Sequence, residues 1–289
     1  MTYMNSNDAR RKLVIKSNTL IQKSKFNLTT LDQRIILYLI SNIKRDATEL
    51  TPFRFYIQDF CQVCGIDYLS GGYYNQLRDT IQNLADKSIW VDTENGGHKL
   101  FRWIAEAETF PESGIIEIQL KKDLEPYLLR LRSNFTSYEL VNTLNYRCKY
   151  STRMYELLKS MHYHQLETYQ TKVFDLDELK DLLGVFEYDR TGKRIGNLAY
   201  EDWQPFKKRC LEPALREINK YSDINVQYNT EIKKREVQRA GHKPVIRAYV
   251  SGVSFIIETK PIEERIKIQA EIETKFGLTQ MTFEELCGE

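Results

Sequence analysis

The spacing of apolar residues along the chain predicts a series of short helices and strands. Apolar residues recur three or four positions apart over residues 31–43, which predicts a helix with Thr29 or Thr30 as its N-cap. The alternating aromatic stretch Phe53–Tyr56 predicts a strand. The residues that follow, Ile57–Cys64, predict a short helix that ends at a glycine.

The rest of the first half continues this pattern. Helical spacing returns after a pair of glycines, and residues 89–91 predict a strand. Two extended segments, 98–109 and 114–120, flank a Pro-Glu-Ser-Gly turn and predict a β-hairpin. Residues 121–131 predict a helix, although Pro126 stands in its middle.

The second half repeats the order of the first half. Its pattern predicts a helix from near Ser151, a short strand at residues 173–174 and a helix over residues 176–183. A strongly amphipathic helix, residues 203–221, comes next. The last predicted elements are strands at residues 224–228 and 245–257.

The two halves also align by number. At an offset of 119, the residues Phe55, Ile57, Phe60, Val63, Cys64, Gly65 and Ile66 fall on Phe174, Leu176, Leu179, Leu182, Leu183, Gly184 and Val185. At an offset of 134, the residues Leu77, Ile81 and Leu84 fall on Leu211, Leu215 and Ile218. The sequence therefore predicts an α+β fold of two tandem winged helix-turn-helix domains related by an internal repeat.

The repeat sets the expected domain bounds. We expect a flexible leader over residues 1–12, a first winged-helix domain over 13–132 and a second over 138–260. The join is expected near residues 132–137. Residues 261–289 form an acidic tail whose isoleucine spacing is compatible with a helix.

Composition and charge narrow the class of protein. The 289 residues are 42% hydrophobic and 28% charged, and no apolar run approaches the roughly 18 residues of a membrane span. Five sparse cysteines and a leader without an apolar signal core favour the cytoplasm. Residues 193–250 hold 13 Lys or Arg against 7 Asp or Glu, whereas residues 262–289 hold 3 against 7. The basic stretch is expected to attract a polyanion.

The predicted helix over residues 203–221 has the chemistry of a groove-reading helix. One face is apolar, while Lys208 and Arg216 lie on the other face and Arg209 lies on its flank. Lys207 plots toward the apolar side, but its long stem in the first turn can swing outward. A solvated surface helix has the same pattern, so a purely structural interpretation stays open.

A basic arm follows this helix. Residues 232–247 carry six Lys or Arg and one acid, and the cations include Lys233, Lys234, Arg235 and Arg239. The arm joins two predicted strands, where a wing tip belongs, and its cations can neutralise phosphates. A solubilising loop is the alternative.

The equivalent helix of the first half has different chemistry. It exposes Asn75 and Gln76, and the nearby cations are Arg78, Lys99 and Arg102. We expect the first domain to bind DNA more weakly or to pair with another subunit, and the second to be the main base reader. Fold alone does not decide, because small helix-plus-hairpin units also serve in dimerisation.

Several stretches together resemble the iteron-binding replication initiators of theta-replicating plasmids, which have two winged-helix domains in tandem. The resemblance covers about residues 12–258. It is carried by residues 28–34, 150–158, 203–209 and 217–219 and by the basic arm at 233–235.

The resemblance implies a sequence-specific protein that binds directly repeated origin sequences in double-stranded DNA. It implies strand opening beside them, recruitment of the host initiator and helicase, and a bacterial host. It also implies monomers that initiate replication, in equilibrium with a homodimer that represses its own promoter. By position, the groove contacts are Lys207, Lys208 and Arg209, and the wing contacts are Lys233, Lys234 and Arg235.

An enzymatic function is a weaker interpretation. A rolling-circle nicking enzyme would hold a metal on His162 and His164, on either side of Tyr163, and attack through Tyr146 or Tyr150. The histidines, however, fall at a helix end, where residues two apart diverge, and both tyrosines precede them. We expect no catalytic activity, no cofactor and no metal. A plain winged-helix transcription regulator is the remaining alternative.

Cys61 and Cys64 have the spacing of a redox or zinc motif. A redox pair needs its first cysteine at a helix N-terminus, but this pair lies at a helix C-terminal end. We therefore expect both to be buried as small apolar residues.

Overall fold

The computed structural model of the protein describes residues 6–68, 72–93, 95–162, 167–188, 194–195, 198–237 and 244–278. These residues form two units that share the order helix, strand, helix, helix and a closing β-hairpin. We refer to residues 13–132 as the first unit and to residues 138–260 as the second unit, which are the bounds predicted from the repeat.

The first unit combines short helices with two small sheets. Its helices, with the one that precedes it, are α1 (Ser6–Arg10), α2 (Asn18–Gln22), α3 (Thr30–Ser41), α4 (Ile57–Cys64), α5 (Tyr73–Asp86) and α6 (Glu125–Leu128). Its strands are β1 (Leu13–Ser17), β2 (Ser24–Lys25), β3 (Phe53–Tyr56), β4 (Ser88–Asp92), β5 (His98–Arg102), β6 (Ile104–Phe110) and β7 (Ile115–Leu120). Two three-stranded sheets result, with the strand orders β2-β4-β5 and β3-β7-β6.

Local sequence signals set the ends of these elements as predicted. Thr29 caps α3 in a capping box, in which its hydroxyl accepts from the Asp32 amide and the Asp32 carboxylate accepts from the Thr29 amide. Helix α4 ends at Gly65, whose φ of 65° is left-handed, so glycine is favoured there.

Two predictions for the first unit are wrong in detail. The extended segment predicted at 98–109 is divided at the buried Trp103, so that β5 pairs with β4 whereas β6 forms a hairpin with β7. The helix predicted over 121–131 is a 3-10 turn, Lys122–Leu124, followed by α6. Proline is tolerated in the first turn of a helix but not in its interior, so α6 begins at Glu125, one residue before Pro126.

The second unit has a longer hairpin. From the join onward, the helices are α7 (Val141–Leu144), α8 (Lys149–Met161), α9 (Leu176–Leu182), α10 (Trp203–Phe206), α11 (Glu212–Tyr221) and, beyond the unit, α12 (Ile262–Leu278). The strands are β8 (Phe135–Glu139), β9 (Thr168–Gln170), β10 (Phe174–Asp175), β11 (Glu187–Tyr188), β12 (Arg194–Ile195), β13 (Ile224–Val237) and β14 (Val245–Thr259). The main sheet has the order β10-β14-β13, with β9 also on β14. No helix in the described part of the chain is long and apolar enough to cross a bilayer.

Residues that align between the halves occupy the same places in the two cores. The aligned apolar residues of β3–α4 and β10–α9 are buried in both units, and so are those of α5 and of the helix that corresponds to it. Gly65 and Gly184 have φ values of 65° and 67°. Strand β3 pairs with β7 as β10 pairs with β14. The predicted α+β fold of two tandem winged-helix domains is confirmed.

The expected flexible leader is wrong for residues 6–12. Residues 6–10 form α1, and the buried Arg10 guanidinium donates to the Gln62 and Val63 carbonyls near the end of α4. The carbonyls in the last turn of a helix have no amide donor within the helix. The Arg10 guanidinium supplies the missing donors. Residues 1–5 lie outside the described part of the chain.

The join between the units is a strand. β8, which overlaps the join predicted near residues 132–137, pairs with β1 at the start of the first unit. On β1, the Lys16 ammonium lies 2.6 Å from the Glu156 carboxylate of α8, and both side chains are buried. Helix α12 reaches the same region, because its Glu273 carboxylate lies 3.1 Å from the Arg11 guanidinium.

Candidate nucleic-acid interface

The amphipathic helix predicted over residues 203–221 is present, but its winding changes along its length. Helix α10 passes into a π-helical turn, Lys207–Leu211, and then into α11. Pro213 accounts for the wide turn, because it has no amide hydrogen for the Arg209 carbonyl and its ring crowds that oxygen. We call the three segments together the Trp203 helix. The wide turn holds the predicted groove contacts Lys207, Lys208 and Arg209.

The inner face of the Trp203 helix packs on α8 and β13. Its buried residues are Phe206, Cys210, Leu211, Ala214, Leu215 and Ile218. Its start is held by the buried Lys180 of α9, whose ammonium donates to the Glu201 carbonyl at 2.8 Å and lies 5.6 Å from the centre of the Phe206 ring. Helix α9 and the Trp203 helix are thus fixed as the two helices of a helix-turn-helix pair.

Three predicted cations lie on the outer face of the Trp203 helix. Lys208, Arg209 and Arg216 are exposed. Within the described residues, no carboxylate oxygen lies within 4.0 Å of their nitrogens. Their charge is therefore available to an anion in solution.

Lys207 is the exception among the predicted groove contacts. It is half-buried, and its ammonium lies 3.4 Å from the Glu212 carboxylate. Tyr228 and this carboxylate raise the pKa of Lys207, so the amine stays protonated. Because a carboxylate already offsets its charge, Lys207 is a weaker candidate than Lys208.

Asn219 is exposed on the Trp203 helix and also fixes the hairpin to it. The Val226 amide donates to the Asn219 side chain at 2.7 Å, and the Asn219 amide donates to the Val226 carbonyl at 2.9 Å. Val226 lies on β13, the edge strand of its sheet, where one side has no strand partner. This two-bond clamp sets the angle between the helix and the hairpin.

Glu217 ties the Trp203 helix to the start of α8. Its carboxylate accepts from the Arg147 amide at 3.0 Å, the Cys148 amide at 3.2 Å and the Ser151 hydroxyl at 2.6 Å. Burial raises the pKa of Glu217, while these three donors act against the rise by favouring the carboxylate. The sequence gives Glu217 a place in a matching stretch but no role, since its partners lie about 70 residues away.

The wing is the outer part of the β13–β14 hairpin. A β-bulge between Glu231 and Ile232 shifts the register of the two strands. Beyond the bulge, residues 232–236 and 245–249 are exposed. Because a bulge increases the local twist, the wing leaves the sheet at a different angle from its base.

The predicted wing cations are divided between two faces. Lys233 and Arg235 share one face of β13, and Lys234 lies on the other, because successive side chains of a strand alternate. Arg239 lies outside the described residues. We call the side that carries Lys233 and Arg235 the cationic wing face.

The register adds a cation that the sequence reasoning did not select. Arg247 lies opposite Arg235 on β14, and Tyr249 lies opposite Lys233. The Arg235 guanidinium is 5.1 Å from the centre of the Tyr249 ring, which holds the guanidinium in place. Arg247 belongs to the basic arm of the sequence, but its position beside Arg235 depends on where the hairpin turns.

A cleft of about 830 Å³ separates the cationic wing face from the start of the Trp203 helix. Lys233, Arg235 and Tyr249 line its wing side, while Trp203 and the exposed Gln204 line its helix side. Gln204 was not selected from the sequence, although it lies in the matching stretch 203–209. Its amide adds a hydrogen-bonding group at the start of the helix.

Carboxylates line the remaining part of the cleft. They belong to Asp175, Asp177, Glu201 and Asp202, at the starts of α9 and the Trp203 helix. An anionic backbone is therefore favoured along the wing and the outer face of the Trp203 helix, and disfavoured beside α9.

The equivalent helix of the first unit, α5, presents compensated charge. Asn75 is exposed and Gln76 is half-buried. The exposed Arg78 guanidinium lies 2.9 Å from the Asp79 carboxylate. This face therefore offers amides rather than free cations.

The other predicted cations of the first unit lie on β5, which is not part of the hairpin that corresponds to the wing. The Lys99 ammonium is 3.3 Å from the Asp123 carboxylate, and the Arg102 guanidinium is 3.4 Å from the Asp86 carboxylate. The hairpin that corresponds to the wing is β6–β7, because β7 pairs with β3. The exposed charged residues of this hairpin are Glu106, Glu108 and Glu112.

The tyrosines considered for a nicking enzyme are buried. Tyr146 and Tyr150 are 0% and 4% exposed, and burial raises the pKa of both hydroxyls. His162 is buried after the end of α8, while Tyr163 and His164 lie outside the described residues. In the described ranges, no group of three or more His, Cys, Asp or Glu side chains is placed to hold a metal ion.

Cys61 and Cys64 lie in the core of the first unit. Both are buried, and burial raises the pKa of both thiols, that of Cys64 to about 12. Such thiols are protonated at neutral pH and unreactive as nucleophiles.

The sequence of this chain matches two families of known proteins. The family described as "Initiator Replication protein, WH1" matches residues 13–159, and the one described as "Initiator Rep protein, WH2" matches residues 175–255. A PI protein of Escherichia coli is 28% identical over 129 residues, which cover 44% of this chain and 40% of the relative. A replication initiation protein of Escherichia coli is 24% identical over 221 residues, which cover 74% of this chain and 64% of the relative. The chain thus spans less than two thirds of either relative.

A solved structure has the same fold. The crystal structure of the Pi initiator protein in complex with iteron DNA matches with a TM-score of 0.64 and 19% sequence identity. The match covers 87% of this chain and 98% of that one. With both winged-helix matches in order along one chain, the protein belongs to the family of initiator replication proteins.

Proposed function

We propose that the protein initiates plasmid replication by binding directly repeated sequences in double-stranded origin DNA. The observation that carries this proposal is the set of exposed cations on the outer Trp203 helix and the cationic wing face, which have no acidic partner among the described residues. The family membership and the fold shared with an initiator solved on iteron DNA support it.

In this proposal the second unit reads the bases. The Trp203 helix enters the major groove, where Lys208, Arg209 and Gln204 meet base edges. Lys233, Arg235 and Arg247 contact the phosphates beside that groove and release counterions. The Asn219 clamp and Lys180 fix the helix and wing before binding, so little ordering cost arises on contact.

The first unit has a lesser role on DNA. Its amide-bearing α5 face supports weaker contact, and its acidic β6–β7 hairpin favours pairing with protein over pairing with phosphate. We propose that a homodimer, in equilibrium with the DNA-binding monomer, represses the protein's own promoter. Recruitment of the host initiator and helicase, a cytoplasmic location in a bacterium and the absence of catalysis complete the proposal.

Footprinting tests this function. The protein is titrated against cloned fragments that flank its own gene, and protection is mapped at single-nucleotide resolution. Protection over tandem direct repeats is the expected result. Protection of a lone palindrome indicates a plain regulator, and no protection on any fragment overturns the proposal.

The second part of the test incubates the protein and a divalent metal ion with a supercoiled plasmid that carries the fragment. We expect the plasmid to remain supercoiled with the protein and Mg²⁺ or Mn²⁺. Nicked product would restore the rolling-circle alternative.

A further inference from the structure

Two buried arginines occupy the same place in the two units. Arg34 on α3 and Arg153 on α8 are 119 positions apart, which is the offset of the repeat, and they are 2% and 3% exposed. Each donates to a carbonyl at the C-terminal end of the next helix of its own unit, which is α4 for Arg34 and α9 for Arg153. Arg34 Nη1 reaches the Cys64 oxygen at 3.0 Å, and Arg153 Nε reaches the Leu182 oxygen at 2.8 Å.

Each arginine also reaches into the other unit. Arg34 Nη2 donates to the Tyr146 carbonyl at 3.0 Å. Arg153 Nη2 donates to the Ser24 carbonyl at 2.7 Å and to the Ser24 hydroxyl at 3.1 Å. The two contacts are reciprocal about the predicted join near residues 132–137, since a guanidinium from each side of the join reaches the backbone on the other side.

The Arg34 contact continues to the Trp203 helix. Beside it, the Gln33 side chain donates to the Lys149 carbonyl at 2.7 Å, and the Thr30 hydroxyl donates to the Arg147 carbonyl at 3.2 Å. The same segment, residues 146–149, is held from the other side by Glu217 of the Trp203 helix. Helix α3 of the first unit is therefore linked to the groove-reading helix of the second through four residues of backbone.

The Arg153 contact brings two backbones close together. The Arg153 guanidinium lies 4.7 Å from the centre of the Phe26 ring. Next to it, a Cβ added at Gly184 would lie 2.1 Å from the Phe26 carbonyl oxygen, so the two units touch there without a side chain between them. With the two backbones this close, one unit has no room to shift against the other at this point.

We call the contacts made by Arg34 and Arg153, together with the Gln33 contact, the joint. Their directional hydrogen bonds distinguish the joint from an apolar contact. A guanidinium is a planar fork of donors, so two carbonyls held by one fork are fixed in direction as well as distance. Burial lowers the pKa of Arg34 and Arg153 to about 10, so both remain charged at neutral pH and depend on these carbonyls for solvation.

We propose that Arg34 and Arg153 are positioning residues that fix the two units as one body and thereby set the spacing between the two halves of a binding site. This inference rests on the proposed function, with both units on one duplex. One inserted base pair moves the second half-site along the axis by about 3.4 Å and around it by about a tenth of a turn. A rigid pair of units accommodates neither change, whereas a flexible pair follows both.

The test compares spacing profiles. The full-length protein and its Arg34→Lys and Arg153→Lys variants are titrated with the footprinted repeat, and with repeats that carry one or two extra base pairs between the halves. Lysine keeps the charge but cannot bond to two carbonyls as a fork. We expect the wild-type protein to lose about tenfold in affinity when one pair is inserted, and each variant to lose less than threefold.

Arg10→Lys is the matched control. Arg10 is also buried, at 4% exposed, and also donates to carbonyls near the end of α4, but both of these carbonyls belong to the first unit. This variant should keep the wild-type penalty for insertions. If a joint variant fails to fold by its thermal melt, Gln33→Met removes one bond of the same joint and should give an intermediate profile.

The outcomes separate the two claims. Folded joint variants with the wild-type spacing profile overturn the inference and leave the proposed function standing. A wild-type profile that is indifferent to insertions also overturns it, because the units are then independent. A wild-type protein with no affinity for any origin fragment overturns the proposed function, and the inference with it.

Discussion

The two units share a skeleton and differ in the charge of their surfaces. Helix α5 and the Trp203 helix correspond by the repeat, and so do the β6–β7 and β13–β14 hairpins. In the first unit, each predicted cation has a carboxylate within 3.4 Å, and the hairpin exposes glutamates. In the second unit, Lys208, Arg209 and Arg216 have no such partner within the described residues.

The comparison shows that a repeat in the core does not predict a repeat in surface charge. The aligned apolar residues must stay buried in both units, because a core position tolerates little change in volume or polarity. A surface charge is under no such restraint, since an exposed ion pair contributes only about 0–1 kcal/mol to stability. One skeleton therefore supports an uncompensated cationic surface in one unit and a charge-compensated surface in the other.

The largest expected effect tests the shared core. Leu183→Asp places a carboxylate where Leu183 is 4% exposed, at the position that corresponds to Cys64. We expect the second unit to unfold, because the free-energy cost of an unpaired buried charge exceeds the free energy of unfolding of a small domain. Leu198→Asp is the control, since Leu198 is 51% exposed. A normal melting curve for Leu183→Asp would contradict the assigned core.

The next effect tests the close approach of the units. Gly184→Ala should lower the free energy of unfolding by about 3 kcal/mol or more, because a left-handed φ costs about 1–2 kcal/mol and the new Cβ also meets the Phe26 backbone. Gly72→Ala, with a φ of 71° and no atom within 4 Å of its Cβ, should cost only the first part. Equal losses of stability in chemical denaturation would argue against a close approach.

The third prediction compares the two groove-facing helices. Lys208→Ala and Arg209→Ala should each weaken binding to the origin repeat by about 1–3 kcal/mol and relax specificity at one base pair. Arg78→Ala, at the corresponding helix of the first unit, should change affinity by less than about 0.5 kcal/mol. Fluorescence anisotropy at one salt concentration measures all three. Similar losses of affinity for variants in both units would contradict the proposal that the second unit is the main reader of the bases.

The fourth prediction tests the two faces of the wing. Lys233→Ala combined with Arg247→Ala should flatten the slope of log affinity against log salt by roughly two units, because each phosphate contact contributes about 0.9. Lys234→Ala, on the opposite face, should leave the slope almost unchanged. A titration series in potassium chloride gives the slope. A larger change for Lys234→Ala would place the phosphates on the other side of the hairpin.

The smallest expected effect concerns the acidic hairpin. Glu106→Lys combined with Glu108→Lys should raise affinity for nonspecific duplex about threefold, through less repulsion of phosphate. Glu263→Lys combined with Glu271→Lys makes the same charge change on α12, where both residues are exposed. If the two double variants behave alike, net charge rather than the hairpin is responsible.

Sequence reasoning predicted what depends on near neighbours in the chain. The capping box at Thr29, the left-handed glycines after α4 and α9, and the buried face of the Trp203 helix are signals a few residues long. The repeat then joined these signals into two copies of one fold. Short-range signals and a repeat were enough for the architecture.

The missed features depend on residues far apart in the chain. Glu217 finds its partners before α8, and Arg10 finds its partners at the end of α4. The division of Lys233 from Lys234 depends on the strand continuing past residue 228, where the predicted strand ended. Pro213 could have predicted the wide turn of the Trp203 helix, because proline disturbs the preceding turn of any helix.

The pairing of β1 with β8 has a consequence for synthesis on the ribosome. Strand β1 is made early, but its partner is more than a hundred residues later, and the carboxylate that neutralises Lys16 comes later still, at Glu156. While the nascent chain grows, β1 therefore keeps an open edge that a chaperone or another polypeptide can occupy. A fragment truncated at residue 132 keeps that edge permanently, which makes it a poor substitute for the intact molecule in any assay of the first unit.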